Sequence, residues 1–278
     1  MTAASTVETS SDCHASRPDA GTPETVETGS EFLRLKSVSR QFGTLRAVDQ
    51  VSFAMNAGEL RAVIGPNGAG KTTFFNLISG LLPPTGGQIW FQGRDITRET
   101  VVQRVAKGIV RTFQITEVLP DLTVTENIRI GVETAFRLNS KPWLSRSMQA
   151  RVDARVSELI EIAELASKQH RRVGELAHGD QRVVEVMLAL SLEPRLLLLD
   201  EPTAGMGDTE TEHMVELVRR LHAEAGVSIL FIEHDMDIVF GIAQRITVLD
   251  QGRILAEGTP DQISADPKVR AAYLGTAE

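Results

Sequence analysis

A glycine-rich segment, 65–73, has the residue types and spacing that suit phosphate binding. It consists of Gly65, Pro66, Asn67, Gly68, Ala69, Gly70, Lys71, Thr72 and Thr73. Glycines let backbone N–H groups surround a phosphate, the lysine adds a point charge, and the first threonine hydroxyl is a ligand for Mg²⁺. A helix that begins directly after the loop adds the positive end of its dipole. The segment therefore predicts a site for a nucleotide phosphate with Mg²⁺, and a glycine-rich turn with a chance lysine is the alternative.

Two adjacent carboxylates, Asp200 and Glu201, end the apolar run 196–199. In open α/β sheets, ligands bind at the carboxyl ends of the strands, which is where these acids are expected. A hydrolytic site needs one carboxylate for the metal and another for the attacking water. We therefore predict that Asp200 holds Mg²⁺, directly or through water, and that Glu201 is the general base.

His234 follows the apolar run 228–232 by two residues, so it is expected at the same edge of the sheet. There it is able to donate a hydrogen bond to a γ-phosphate, although a lone histidine also fits a structural role.

The elements that must position these residues follow from apolar periodicity and from turn signals. A strand at 60–64 and a helix at 71–82 flank the phosphate loop, and Pro83-Pro84 stops the helix. We also predict strands at 33–35, 51–55, 196–199 and 228–232, hairpins at 88–96 and 246–256, and helices at 101–106, 124–136, 152–165, 181–192, 209–225 and 236–243. Strands that alternate with helices indicate parallel βαβ units, hence an α/β fold.

Composition limits the class of protein. The 278 residues are 42% hydrophobic and 24% charged, as in an ordinary soluble globular chain, and no apolar run is long enough for a membrane span. The only cysteine, Cys13, excludes an internal disulfide, and together with the lack of a signal peptide it favours a cytosolic location. Half of the net charge of -8 lies in residues 1–30, which have almost no large apolar side chains and are expected to be a disordered tail.

Charge also bears on the partners. The remaining body is mildly acidic and gives no basic surface for nucleic acid. The stretch 137–151 contains four basic residues and no acid, so it is either a solvated loop or a contact with lipid headgroups or a partner's loops.

Across residues 31–278 these motifs, in this order, resemble the ATP-binding subunit of an ABC transporter. The resemblance implies a RecA-like P-loop NTPase core with an antiparallel β part and an inserted helical subdomain at about 116–194. It also implies that Gln114, in the stretch 110–114, senses Mg²⁺ and the membrane partner, and that Phe42 stacks on adenine. A core aromatic is the alternative for Phe42.

The signature of the family, Leu-Ser-Gly-Gly-Gln, is matched only in part. The matching stretch is Leu176, Ala177, His178, Gly179, Asp180 and Gln181, in which Ala177 replaces the serine, His178 a glycine and Asp180 the glutamine. The resemblance implies that this loop faces the γ-phosphate of the other protomer, where a missing serine hydroxyl loses a hydrogen bond worth about 1.5–3 kcal/mol. We expect Asp180 to be the N-cap of the helix that follows. Gly207 stands where the family's dimer-contact loop usually ends in Asp, for which Asp208 is a substitute.

Several stretches are similar to subunits of branched-chain and hydrophobic amino-acid importers, and urea importers share the one at 204–206. These stretches lie at 108–114, 204–206, 233–237 and 272–275. The resemblance implies hydrolysis of ATP with Mg²⁺ between two such subunits, which form either a homodimer or a heterodimer. It also implies two integral-membrane permease subunits, a periplasmic or surface solute-binding protein, and a peripheral place on the cytoplasmic face of the membrane. The alternatives are import of urea or another polar solute, and a non-transport or regulatory ABC protein.

Overall fold

The computed structural model describes residues 32–112, 118–136 and 145–274. The tail at 1–30, Gln114 and the first part of the acid-free stretch, 137–144, lie outside these residues. The predictions made for them stay predictions. No helix in the described ranges is long and apolar enough to cross a membrane.

A six-stranded sheet forms the centre of the fold. Its spatial order is β10 (Arg253–Gly258), β9 (Arg245–Asp250), β3 (Leu60–Ile64), β8 (Ser228–Ile232), β7 (Leu196–Asp200) and β6 (Ile109–Arg111). Only the pairing of β10 with β9 is antiparallel. The strands β3, β7 and β8 are buried along their whole length, as expected for parallel strands that are covered on both faces. Their carboxyl ends therefore meet at one edge of the sheet.

A second, antiparallel sheet has the order β2 (Leu45–Met55), β1 (Leu33–Phe42), β4 (Gly86–Phe91) and β5 (Arg94–Asp95). Alternate residues along the central strands divide the interior into two cores, because successive side chains point to opposite faces. Val63, Leu198 and Leu230 join the core shared with the antiparallel sheet and the first helix, whereas Ala62, Leu199 and Phe231 join the core shared with the later helices. The first helix is thus packed between the two sheets.

Nine helices occur in the described ranges. They are α1 (Lys71–Ser79), α2 (Val101–Val105), α3 (Val124–Ala135), α4 (Arg146–Ile162), α5 (His178–Ser191), α6 (Asp208–Ala225), α7 (Met236–Ile242), α8 (Pro260–Ala265) and α9 (Pro267–Leu274). The expected α/β architecture is confirmed. Helices α3, α4 and α5 lie in the stretch 116–194, whose status as a separate subdomain stays a prediction.

The predicted bounds of three helices, α1, α4 and α5, are wrong by three residues or more, and α4 is wrong at both ends, since it also stops at Ile162 rather than at residue 165. Helix α1 ends at Ser79 rather than at residue 82, because Gly80 takes a left-handed conformation with φ of 83°. Helix α4 begins six residues earlier than predicted, where the Ser145 hydroxyl accepts a hydrogen bond from the N–H of Met148. Helix α5 also begins earlier, at His178 with Ala177 as its N-cap, so Asp180 lies in the first turn and is not the cap.

Sequence patterns missed β6, α8 and α9. Strand β6 is only three residues long, and the two terminal helices have six and eight residues. Elements this short contain too few residues to show a period, although Pro260 and the capping residue Thr259 are local signals for the start of α8.

Candidate active site

The phosphate-loop segment connects the end of β3 to the start of α1 at the carboxyl edge of the central sheet. Two of its glycines are sterically required. A Cβ on Gly65 would lie 2.1 Å from the carbonyl oxygen of Leu249, and one on Gly70 would lie 2.3 Å from that of Ala47, with φ of 154° and 101° respectively. Strand β9 and strand β2 therefore pack directly against the backbone of the loop and fix its path.

Lys71 is almost fully buried at the first position of α1. Its Nζ donates hydrogen bonds to the carbonyl oxygens of Gly65 at 2.7 Å and Pro66 at 3.2 Å. Burial lowers the pKa of Lys71, and the charges of Glu201 and Asp200 oppose that shift. The loop thus holds an ammonium group that two carboxylates help to keep charged.

Asp200 and Glu201 have different environments although they are neighbours in the sequence. The Asp200 side chain is fully buried, its Oδ2 lies 2.6 Å from Nη2 of Arg111, and its Oδ1 accepts no hydrogen bond from the described residues. Glu201 has a left-handed backbone with φ of 51°, a strained conformation for a residue with a side chain. This turn brings its carboxylate to the cleft above the phosphate loop.

His234 contacts Glu201 directly, with Nε2 lying 2.6 Å from Oε1. A buried carboxylate, Glu233, holds the backbone beside this contact. Its Oε1 accepts hydrogen bonds from the N–H and the hydroxyl of Thr203, and its Oε2 accepts one from the N–H of His234. The sequence did not predict a role for Glu233, because its partner Thr203 lies 30 residues away, in the loop that follows β7, whereas Glu233 follows β8. Its only sequence signal is an acid at the end of an apolar strand.

One open cleft collects most of the predicted nucleotide residues. Its lining includes the segment 67–73, Glu201 and His234. The lining also contains the first three residues of β2 and one residue from the β9–β10 turn: Leu45, Arg46, Ala47 and Gln251. Phe42 is not among the residues that line the cleft. It ends β1, is 42% exposed, and its ring centroid lies 4.6 Å from the guanidinium carbon of Arg40. Leu45 is the more exposed apolar side chain, at 66%.

The signature residues 177–181 do not line this cleft. Asp180 pairs with Lys168, whose Nζ donates to both carboxylate oxygens at 2.8 and 2.6 Å. A Cβ on Gly179 would lie 2.7 Å from the carboxyl carbon of Glu210 on α6, so a larger residue there would require the Glu210 side chain to move. Gly207 is the N-cap of α6, and Asp208 begins that helix.

The donor set at the cleft fits Mg²⁺. The orphaned Oδ1 of Asp200 and the hydroxyl of Thr72 are hard oxygen donors of the kind that Mg²⁺ prefers. The described residues hold no group of three or more His, Cys, Asp or Glu side chains that could bind a metal alone. A Mg²⁺ ion held by these two donors would complete its coordination with phosphate oxygens and water, as is usual for this ion.

Comparison with known proteins decides the family. A model described as ABC transporter matches residues 48–204, more than half of the chain. The chain belongs to the ABC transporter family. Within this family it is an ATP-hydrolysing subunit, which confirms the predicted enzyme class. A second model, described as branched-chain amino acid ATP-binding cassette transporter, matches residues 253–278 of this ABC subunit.

Relatives and solved structures cover nearly all of the ABC fold. The chain is 37% identical over 251 residues to the high-affinity branched-chain amino acid transport ATP-binding protein BraF of Pseudomonas aeruginosa, covering 88% of this chain and 98% of the relative. A nucleotide-free ATP-binding cassette from an ABC transporter matches with a TM-score of 0.76 and 33% identity, covering 88% of this chain and 99% of that one. A dimeric post-hydrolysis cassette bound to ADP and Pi matches with a TM-score of 0.68 and 25% identity, covering 82% and 98%.

Proposed function

We propose that this ABC subunit hydrolyses Mg-ATP to drive the import of branched-chain or other hydrophobic amino acids through separate membrane permease subunits. Two findings support the solute class. The family model that matches residues 253–278 is one for branched-chain amino acid transporters, and the relative from Pseudomonas aeruginosa is named for the same transport.

The contact between Glu201 and His234 carries the catalytic part of the proposal. It places a carboxylate and an imidazole 2.6 Å apart in the cleft that Lys71 and the phosphate loop line. Glu201 is the general base that orients and deprotonates water, and His234 donates a hydrogen bond to the γ-phosphate. Gln114 completes the set as the residue that senses the metal and the membrane partner.

ATP binding uses the backbone of 65–70, the ammonium group of Lys71 and the hydroxyl groups of Thr72 and Thr73. Thr72, Asp200 and Gln114 hold Mg²⁺, which neutralises phosphate charge when it is bound. Phe42 stacks on the adenine; its exposed ring at the end of β1 leaves a face for that role.

The working unit contains two ATP-binding subunits, two permease subunits and, outside the membrane, a solute-binding protein. The signature residues 177–181 lie away from the cleft of their own chain, which supports a role for them against the nucleotide of a second subunit. The relative solved as a dimer with ADP and Pi supports the same arrangement. We place the complex peripherally on the cytoplasmic face of the membrane, where ATP is available.

The test of the catalytic proposal compares two variants with the wild type. Lys71→Ala removes the phosphate-binding charge, so we expect loss of Mg-ATP binding. Glu201→Gln keeps the size of the side chain but removes its basicity, so we expect binding to survive and phosphate release to stop. ATP should then trap a dimer of the variant with its partner ATP-binding subunit, or with a second copy of itself if the two subunits are identical, visible by size-exclusion chromatography in ATP but not in ADP. Wild-type phosphate release by the Glu201→Gln variant contradicts the assignment of the base.

The test of the solute measures ATP-dependent uptake by vesicles that contain the whole transporter. We expect uptake of leucine, isoleucine or valine, and its loss when the subunit carries Glu201→Gln. Uptake of urea instead supports the alternative of a polar-solute importer. A wild-type subunit that binds ATP but releases no phosphate beside its permease supports a regulatory role.

A further inference from the structure

We propose that Arg111 is a positioning residue for the metal-binding carboxylate of Asp200. The proposal rests on the function proposed above, since it takes Asp200 as the Mg²⁺ ligand. Arg111 is the last residue of β6, the strand next to β7 in the central sheet, and its side chain is only 6% exposed. It thus lies beside the carboxylate but on a different element.

The guanidinium group of Arg111 joins three elements. Its Nη2 lies 2.6 Å from Oδ2 of Asp200 at the end of β7, and its Nη1 donates to Oδ1 of Asn76 on α1, the helix that begins at the phosphate loop. Its central carbon lies 5.7 Å from the ring centroid of Phe75 on the same helix. A planar group held at both nitrogens and over one face has little freedom to turn.

The orientation of Asp200 follows from these contacts. Because Oδ2 is held by Arg111, the carboxylate cannot rotate about its terminal bond without breaking a buried, charge-assisted hydrogen bond. The oxygen that remains, Oδ1, is buried and accepts no hydrogen bond from the described residues. Arg111 therefore fixes which oxygen is left for Mg²⁺ or for a water bound to it.

Charge gives a second reason for the arrangement. A fully buried carboxylate without a partner is strongly unfavourable, so Asp200 needs a cation even when no nucleotide has brought a metal. Arg111 supplies that positive charge at Oδ2, and it can keep this contact when a metal ion binds at Oδ1. The carboxylate is in this way ready before Mg-ATP binds.

The experiment measures nucleotide affinity with and without Mg²⁺, using a fluorescent, non-hydrolysable ATP analogue in Mg²⁺ or in EDTA. The variants are Arg111→Met and Arg111→Lys. The first removes both the positive charge and the planar guanidinium group, and the second keeps the charge but not the two parallel N–H donors of that group. Arg61→Met is the matched control, because Arg61 is 4% exposed, lies 2.6 Å from Glu59 and stacks 4.9 Å from the Phe53 centroid, away from the cleft. Asp200→Asn tests the metal ligand itself.

We expect Arg111→Met to bind the analogue in EDTA as tightly as the wild type does. The increase in affinity on adding Mg²⁺ should be about tenfold smaller in the variant than in the wild type, as is typical for residues that orient metal ligands. Arg111→Lys should lose part of that gain, and Arg61→Met should keep all of it while unfolding at a lower temperature. If Arg111→Met does not fold, Arg111→Lys decides.

Two outcomes overturn the proposal. An unchanged gain from Mg²⁺ in folded Arg111 variants shows that the pair is only structural. A larger gain shows that Arg111 competes with the metal instead of preparing its site. If Asp200→Asn keeps the full gain, the metal assignment in the proposed function is wrong, which is a separate failure.

Discussion

The imidazole of His234 and the carboxylate of Glu201 are in direct contact, with 2.6 Å between Nε2 and Oε1. Their side chains are 49% and 24% exposed, so both face the cleft. One oxygen of the proposed base, Oε1, therefore contacts the histidine. In the proposed function the same imidazole also donates a hydrogen bond to the γ-phosphate, which makes His234 a link between the base and the nucleotide.

His234→Ala should therefore lower the rate of phosphate release more than it lowers nucleotide affinity. We expect the turnover to fall by about 10² because a group that positions the base and contacts the transferred phosphate is lost. His234→Gln, which retains an N–H donor, should keep more of the rate. Phosphate release at saturating ATP, beside equilibrium binding of ADP, separates the two effects. Equal turnover in the wild type and the alanine variant contradicts the role.

Glu233 holds the His234 backbone and the Thr203 loop together. Its side chain accepts three hydrogen bonds inside the protein, two from Thr203 and one from the N–H of His234. Both catalytic side chains are attached to segments that this carboxylate connects, because Glu201 lies two residues before Thr203. A loss of Glu233 should consequently affect stability and the Glu201–His234 geometry together.

We expect Glu233→Ala to lower the free energy of unfolding by about 3 kcal/mol, since buried hydrogen bonds to a charged group are worth about 1.5–3 kcal/mol each and water replaces part of the loss. Thr203→Val removes only the hydroxyl contact and should cost about half as much. Urea unfolding measures both. A Glu233→Ala variant with wild-type stability shows that the loop does not depend on this carboxylate.

Tyr273, the only tyrosine of the chain, reports on the contact between the C-terminal helix α9 and the phosphate loop. Tyr273 is 39% exposed, and the burial of the rest of its side chain raises the pKa of Tyr273 to about 12, while a hydrogen bond donated by the backbone of Gly65 opposes the shift. In the unfolded chain the phenol titrates at about 10. The folded state therefore favours the protonated phenol, and its contribution to stability is lost as the pH rises from about 10 to about 12.

Alkaline titration followed by tyrosinate absorbance tests this directly, because no other residue contributes that signal. We expect little tyrosinate at pH about 11 in the folded protein and full ionisation after unfolding in urea. Tyr273→Phe should flatten the fall of stability between pH about 10 and about 12. A phenol that ionises near pH 10 in the folded chain shows that the partial burial of Tyr273 does not favour its protonated form.

The sequence predicts those elements whose bounds are set by a local pattern of apolar and turn residues. Strands β3 and β8 were predicted with their observed bounds, because continuous apolar runs with clear turn signals mark them. Arg111 and Glu233 were not predicted as part of the site. Arg111 lies 89 residues from its partner Asp200, and only the parallel pairing of β6 with β7 brings the two together.

The start of α5 shows the same limit on a smaller scale. Aspartate is a favoured N-cap residue, so Asp180 was expected at that position, yet the helix extends three residues further toward the N-terminus. The reason is tertiary: Asp180 is held by Lys168, and Gly179 is packed against Glu210, so the first turn is stabilised by neighbouring elements and not by its own cap. Neither contact leaves a local sequence pattern.

The ion pair between Lys168 and Asp180 bears on how the altered signature works. The family resemblance places the γ-phosphate of a second subunit near this helix start, where an uncompensated carboxylate would repel it. Nζ of Lys168 contacts both oxygens of Asp180, and the carboxylate side chain is only 16% exposed. The pair therefore removes most of the negative charge that Asp180 would bring to the dimer interface.

Lys168→Met should weaken ATP-driven dimerisation, measured by sedimentation in the Glu201→Gln background, by about tenfold. One uncompensated charge about 10 Å from a phosphate costs about 1–2 kcal/mol at the effective dielectric of a protein surface. Asp180→Asn should not weaken it, and the double variant should recover the affinity that the lysine variant loses, since the repelling charge is gone. Arg155→Met is the control, as it breaks the exposed pair of Arg155 with Glu158 at 2.8 Å on α4 and should leave dimerisation unchanged. If the double variant dimerises as poorly as Lys168→Met alone, Lys168 acts on the nucleotide itself and not through the charge of Asp180.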